Sequence, residues 1–246
     1  DIIQSIHKEY LEAGADIIET NTFSANRISQ SEYGCEDFAG MMAYEGARLA
    51  REAADCYMKS TGRKVWVAGS IGPTSKSLSL SPDASDPAYR PYSFEQMQEA
   101  YREQAEALLR GGADLILIET CFDALNVKAA LNGIQDIIQE RLNDGTGILP
   151  SPARGRGPAL LGEGLWSQQP LLNDDSIPVI ISVSVGDKSG RTLTGQTLEA
   201  FYTSIRHYPI LAFGLNCSLG ASEMAPLIED ISKWCSCGIS CYPNAG

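Results

Sequence analysis

No segment of this 246-residue chain is apolar for long enough to cross a membrane. The longest apolar runs, residues 114–120 and 178–185, fall far short of the roughly 18–20 residues that a spanning helix needs. Basic residues are also scarce. Nineteen Lys and Arg stand against 31 Asp and Glu, for a net charge of −12, and no Lys/Arg cluster is present that could neutralise phosphates. A nucleic-acid partner or an acidic membrane surface therefore has no electrostatic support, and a small-molecule partner fits better. There are only two histidines, His7 and His207, both in or beside helical patterns. Surface or capping roles suit them, and a Cys-His nucleophilic pair lacks its base. No strand-like run leads into GxGxxG or GxxxxGK[ST], the turns that cradle a pyrophosphate. No expected strand tip carries a Lys, so a Schiff-base aldolase is remote. There is no initiator Met or signal segment, and the chain opens at Asp1 inside a helical pattern that ends at Gly14. The expectation is that its partner strand lies upstream.

Seven cysteines, an odd number, are scattered through the chain. That usage suits reduced thiols in the cytoplasm, not a small secreted scaffold stapled by disulfides. The length and the 43% hydrophobic content are enough for one sizeable core.

What is present has a rhythm. EAGADIIETNTF at 12–23 and RGGADLILIETCF at 110–122 each read as a helix end, a Gly turn, an apolar strand and a terminal Glu-Thr. Short apolar strands are expected at 15–19, 64–70, 114–119, 178–184, 211–216 and 236–241, with helices between. Ser93 and Gln96 form a capping box for a helix that runs to Gly111. The next helix places Val127, Ala130, Leu131, Ile134 and Ile138 on one face and stops at the polar 142–145. Near-continuously apolar strands suit a parallel sheet covered on both sides. The missing nucleotide-binding turns favour an incomplete (β/α)8 barrel, with about six of the eight units present, over an open α/β sheet. Residues 1–246 then form a single partial barrel domain, with an inserted Gly/Pro-rich loop at about 143–176 on the bottom face. The loops at 72–92 and 185–197 follow strands and belong to the catalytic face.

Strand tips are where barrel enzymes place reacting groups. Here they carry Glu19, Thr20, Asn21, Ser70, Glu119, Thr120, Asn216 and Cys217. Glu19 and Glu119 could be a general acid/base pair, could bind an amino group, or could only accept loop amides. Cys217, in GLNCSLG, stands where a strand ends and a small-residue turn begins. It reads either as a ligand or nucleophile or as an inert buried thiol. WCSCGISC at 234–241 gives Cys235, Cys237 and Cys241 one parity along an expected strand, a weak metal signal beside the reading of small core residues. Cys35, Cys56 and Cys121 default to packing.

ADIIETNTF, AGSIGPTSKSLSLSPDASDPAYR, GGADLILIETCFDALNVKAAL, SGRTLTGQTLEAFY and FGLNCSLG followed by YPNAG together resemble the homocysteine-binding module of the cobalamin-dependent methionine synthases. The resemblance runs over nearly the whole chain outside about 143–176. It implies a (β/α)8 barrel that binds homocysteine at its mouth through a zinc ion held by three cysteine thiolates. Cys217 would be one ligand, and two further cysteines, in a GGCCG segment, are expected beyond Gly246. The reaction implied is methyl transfer to the zinc-activated thiol of homocysteine, giving methionine. The methyl group would come from methylcobalamin on another module, alongside a folate-binding module of the same polypeptide. By the same resemblance Glu119 would hold the substrate amino group, with Asn21, Thr20 and Ser70 as weaker carry-overs. Two alternatives stand beside this: a cobalamin-independent homocysteine S-methyltransferase, and an inactive fragment lacking two zinc ligands.

Overall fold

The computed structural model describes residues 2–145 and 176–245. Six strands form one sheet in the order β1-β2-β3-β4-β5-β6, each parallel to its neighbours. They are β1 (Ile17–Glu19), β2 (Trp66–Ile71), β3 (Leu115–Cys121), β4 (Val179–Val183), β5 (Ala212–Gly220) and β6 (Gly238–Asn244). The helices are α1 (Ile2–Glu12), a one-turn α2 (Arg27–Gln30), α3 (Ala39–Thr61), α4 (Phe94–Gly111), α5 (Ala124–Asn143), α6 (Leu198–Ile205) and α7 (Ala221–Trp234). Spatial order equals chain order, with no reversal of direction across the sheet. The sheet therefore curls into an incomplete barrel instead of opening into a doubly wound layer.

Alternation along the strands separates two apolar layers. Trp66, Ala68, Leu115, Leu117 and Leu211, with Ile17 and Ile180, fill the concave inner face. Val67, Ile116, Ile118, Ile181, Val183, Phe213 and Leu215 point the other way into the large core beneath the helices. Burial on both faces is why these strands read as continuous apolar runs.

Local signals set the helix ends. Ser93 Oγ accepts the Gln96 amide at 3.3 Å, and Gln96 Oε1 accepts the Ser93 N–H at 2.8 Å, so the expected capping box is formed. α4 ends at Gly111, where α3 comes so close that a Cβ would lie 2.5 Å from the Tyr44 carbonyl oxygen and 2.6 Å from Ala47 Cβ. Only glycine permits that approach, and α3 answers it with Ala43, Ala47, Ala50 and Ala54, all fully buried.

Three sequence expectations need correction. His7 is not on the surface: it is 5% exposed and, with Leu11, forms the buried side of α1. Ile2, Ile6 and Tyr10 of the same helix are exposed instead. The stripe that packs runs through positions 3, 7 and 11, and burial lowers the His7 pKa. The last strand begins at Gly238, so Cys235 and Cys237 lie in the turn before it and do not share a strand face with Cys241. Cys56 is exposed on α3, not packed, whereas Cys121 is buried. The inserted loop lies outside the described residues except at its borders: α5 closes at Asn143, and the chain resumes at Ser176 ahead of β4.

Candidate active site at the strand tips

Each strand sends one polar side chain to the inner face near its carboxyl end: Glu19, Ser70, Glu119, Ser182, Asn216 and Tyr242. They keep the parity of the inner apolar residues two or four positions earlier, such as Ile17, Trp66, Leu115 and Ile180. The row is knit by side-chain bonds. Ser70 Oγ donates to Glu119 Oε1 through a short contact. Ser182 Oγ donates to Asn216 Oδ1 at 2.7 Å, and Asn216 pairs in register with Tyr242.

Asn216 is the hub of the site. Its Oδ1 also accepts the Thr120 N–H at 2.9 Å, while its Nδ2 donates to Thr120 Oγ1 at 2.8 Å and to Cys217 Sγ at 3.4 Å. The amide thus has partners on both atoms and is 5% exposed. The backbone it holds is unusual. Thr120, Cys217 and Ser218 have φ of 57°, 47° and 65°, and they are the only non-glycine residues with positive φ among the described residues. Left-handed backbone costs L-residues energy and persists where surroundings impose it, which is common at functional sites.

Two carboxyls share the inner face. Glu19, at the exposed strand tip, is raised to about 7, first by partial desolvation of its carboxyl and then by the charge of Glu119. Burial also raises Glu119, and the Ser70 hydroxyl partly offsets this. The negative charge of Glu119 thus disfavours ionisation of Glu19.

Thr20 and Asn21 do not join the row. One position past Glu19, Thr20 faces the helix layer and is 4% exposed. Its Oγ1 accepts the Ser70 N–H at 2.9 Å and shares a hydrogen bond with Thr22 Oγ1 at 2.6 Å. The hydroxyl therefore fixes the backbone of Ser70 without reaching the mouth. Asn21 is exposed and leans on α3, its Oδ1 3.2 Å from where a Cβ would stand on Gly46. Sequence reading had assigned no role to Ser182, Ser184 or Tyr242. Only the barrel parity of their strands could have flagged Ser182 and Tyr242.

The two rim loops lean on the junction of β3 and α5. In the first, Ser79 donates its N–H and hydroxyl to the Asp123 carboxylate at 2.9 and 2.6 Å, and the Leu78 N–H donates to Asn126 Oδ1 at 2.9 Å. In the second, Thr194 Oγ1 donates to the Phe122 carbonyl at 2.9 Å. These anchors tie both loops to the residues that directly follow β3.

Cys217 is half-buried, and its sulfur accepts from Asn216 Nδ2 at 3.4 Å, donates to Ser184 Oγ at 3.5 Å and lies 3.9 Å from Ser218 Oγ. A cysteine sulfur in this place is a soft donor of the kind that ligates a soft cation. No group of three or more His, Cys, Asp or Glu converges as a metal site among the described residues.

The family model for homocysteine S-methyltransferase matches residues 1–246. The chain belongs to that family. Solved structures agree in fold. The oxidised form of the homocysteine methyltransferase MmuM from Escherichia coli superposes with a TM-score of 0.71 at 21% identity, over 100% of this chain and 71% of that one. Its metallated form gives 0.69 at 19% identity, over 99% and 72%. These family relatives share the curled barrel described above, and no helix among the described residues is long and apolar enough to cross a membrane.

Proposed function

We propose that this chain is the homocysteine-binding barrel of a cobalamin-dependent methionine synthase, transferring a methyl group to the homocysteine thiol. The observation that carries the reading is Asn216, whose one side chain ties the residue after Glu119 to the sulfur of Cys217. An amino acid with a thiol at its far end needs two such poles held at a fixed spacing. Glu119, oriented by Ser70, takes the ammonium group, with Glu19 as a second carboxyl on the same face. The substrate sulfur lies toward Cys217.

Cys217 is one thiolate ligand of a zinc ion, and the other two come from cysteines outside the described residues. When bound, zinc supplies a thiolate nucleophile at neutral pH from a thiol whose ordinary pKa is about 8.5 or higher. Ser184, Ser218 and Asn216 hold the Cys217 sulfur in place for that role. Methylcobalamin and folate belong to other modules of the same polypeptide, working in the cytoplasm.

The test is methionine formation by the full-length polypeptide with methylcobalamin, with S-methylmethionine and betaine as rival donors. Methylcobalamin should serve and the rivals should not; the reverse would replace this reading with a cobalamin-independent methyltransferase. Glu119→Gln should raise KM for homocysteine by roughly 100-fold, the effect of removing one partner of a buried charge pair. Cys217→Ala should abolish zinc-dependent transfer, and undiminished transfer would overturn the assignment.

A further inference from the structure

The turn between α7 and β6 carries a second pair of reactive groups, far from the strand tips. Cys235 caps α7 in extended conformation, with φ −75° and ψ 128°, and Cys237 directly precedes β6. Their sulfurs are 3.4 Å apart, and both residues are half-buried. The residue between them is clamped. Ser236 donates its N–H to the Tyr202 hydroxyl at 3.1 Å, and its own hydroxyl lies 2.8 Å from the same oxygen. Tyr202 is itself wedged against Phe213 and Trp234, with ring centroids 5.1 and 5.6 Å away. Cys241, the third cysteine of the segment, turns its sulfur to Met224 Sδ at 3.4 Å and stands apart from the pair.

We infer that Cys235 and Cys237 are a redox-active dithiol, a modification site that closes to an intramolecular disulfide on meeting a low-molecular-weight disulfide. The geometry is close to what closure needs. A disulfide bond is 2.03–2.05 Å long, so the sulfurs must come about 1.4 Å nearer. Cys235 is the attacking thiol: the hydrogen bond from the Cys237 side chain lowers it to about 7, while Cys237 is held protonated. The Cys235 thiolate attacks one sulfur of the small disulfide RSSR, breaks its S–S bond and expels RS⁻, leaving a mixed disulfide. Cys237 then gives up its proton and attacks Cys235 Sγ, expelling the second RS⁻. In sum, two protein thiols are oxidised, RSSR is reduced to two RSH, and two electrons pass between them.

The pair sits at the opposite end of the sheet from Cys217. Gly238, next to Cys237, pairs with Ala212 at the start of β5, and Cys217 lies near that strand's far end. At about 3.3 Å per residue, roughly 16 Å separates the two levels. Oxidation of the dithiol therefore leaves Cys217 untouched, and the inference stands apart from the proposed methyl transfer.

The test treats the folded chain with oxidised glutathione and maps each cysteine by differential alkylation and peptide mass spectrometry. Cys56, which is exposed, serves as the internal reference for a solitary thiol. Wild type should lose the Cys235 and Cys237 thiols together and retain no glutathione on either. Cys237→Ser should stall at the first step, with at least about tenfold more glutathione on Cys235 than in wild type, because the neighbouring thiol no longer resolves it. Cys241→Ser should behave as wild type. Stable glutathione on Cys235 of the wild type would overturn the inference, as would a pair that stays reduced while Cys56 reacts, or closure that needs Cys241.

Discussion

Asn216→Ala removes four hydrogen bonds from one buried amide, those with the Thr120 N–H, Thr120 Oγ1, Ser182 Oγ and Cys217 Sγ. Two donors lose their acceptor, the half-buried Thr120 N–H and the Ser182 hydroxyl, whose residue is 4% exposed. Each group left without a partner costs about 1–3 kcal/mol. The left-handed backbones of Thr120 and Cys217 also lose the tether that holds them. The sum is roughly 3–5 kcal/mol, which in a domain of this size lowers Tm on the order of 10 °C. Urea unfolding followed by circular dichroism gives the change as a lower midpoint at unchanged slope. A second variant checks the cause. Thr120→Gly, added to the Asn216→Ala variant, relieves a strained position and should recover about 1 kcal/mol. A loss below about 1 kcal/mol for Asn216→Ala would refute the view that this side chain holds the site together. So would a Gly substitution that destabilises further.

Other outcomes follow from the same structure. Glu19 binds its proton more tightly folded, at about 7, than at its ordinary 4.5, so its contribution to stability is full below about pH 4.5 and is lost as pH rises through 7. Glu19→Gln should flatten the fall of the urea midpoint over that window, and a slope equal to the parent's would contradict the assignment. A Cβ on Gly214 would lie 1.7 Å from the Ser240 carbonyl oxygen. Gly214→Ala should therefore break the β5–β6 pairing, at a cost of about 3 kcal/mol or more. Hydrogen exchange should show the amides of residues 240–242 losing protection, and unchanged protection would count against the close approach. Asp114 Oδ2 accepts the Val67 N–H at 2.9 Å and Arg51 Nη1 at 2.8 Å, with both side chains largely buried. Asp114→Ala leaves the guanidinium with Asp55, 2.9 Å from its Nε, as its remaining ion pair and leaves the Val67 N–H without this acceptor, and should cost about 1–3 kcal/mol in chemical denaturation. A cost near zero would show the pair to be solvated.

Much of the architecture was legible because β2 to β5 are covered on both faces and the helices announce their ends. Ser93 with Gln96, and the Gly that follows α3 and α4, are local devices whose effect depends little on the rest of the chain. Glu119, Ser70 and Cys217 could be placed at strand tips by counting along apolar runs. Thr20 and Asn21 were placed by the same counting, but a single-residue alternation turns Thr20 outward, and the chain has already left the sheet at Asn21. The burial of His7 was hidden for a related reason. Ile2, Ile6 and Tyr10 form a plausible stripe, and only the position of α3 decides which side of α1 is covered. Asn216 carried no signal of its own as a hub, since its partners lie 96 and 34 residues away along the chain.

The strand order has a bearing on how the molecule comes to exist. Among the described residues each strand pairs with the strands before and after it in the chain, so none of these units waits for a distant one. During synthesis each new strand can dock on an edge laid down moments earlier, and the loop entropy lost at each step is that of a single strand-helix unit. The polar row is then assembled in reading order, with Glu19 first and Tyr242 last. A nascent chain stalled before residue 212 would already hold Glu119 in place, with Asn216 and Cys217 still unmade.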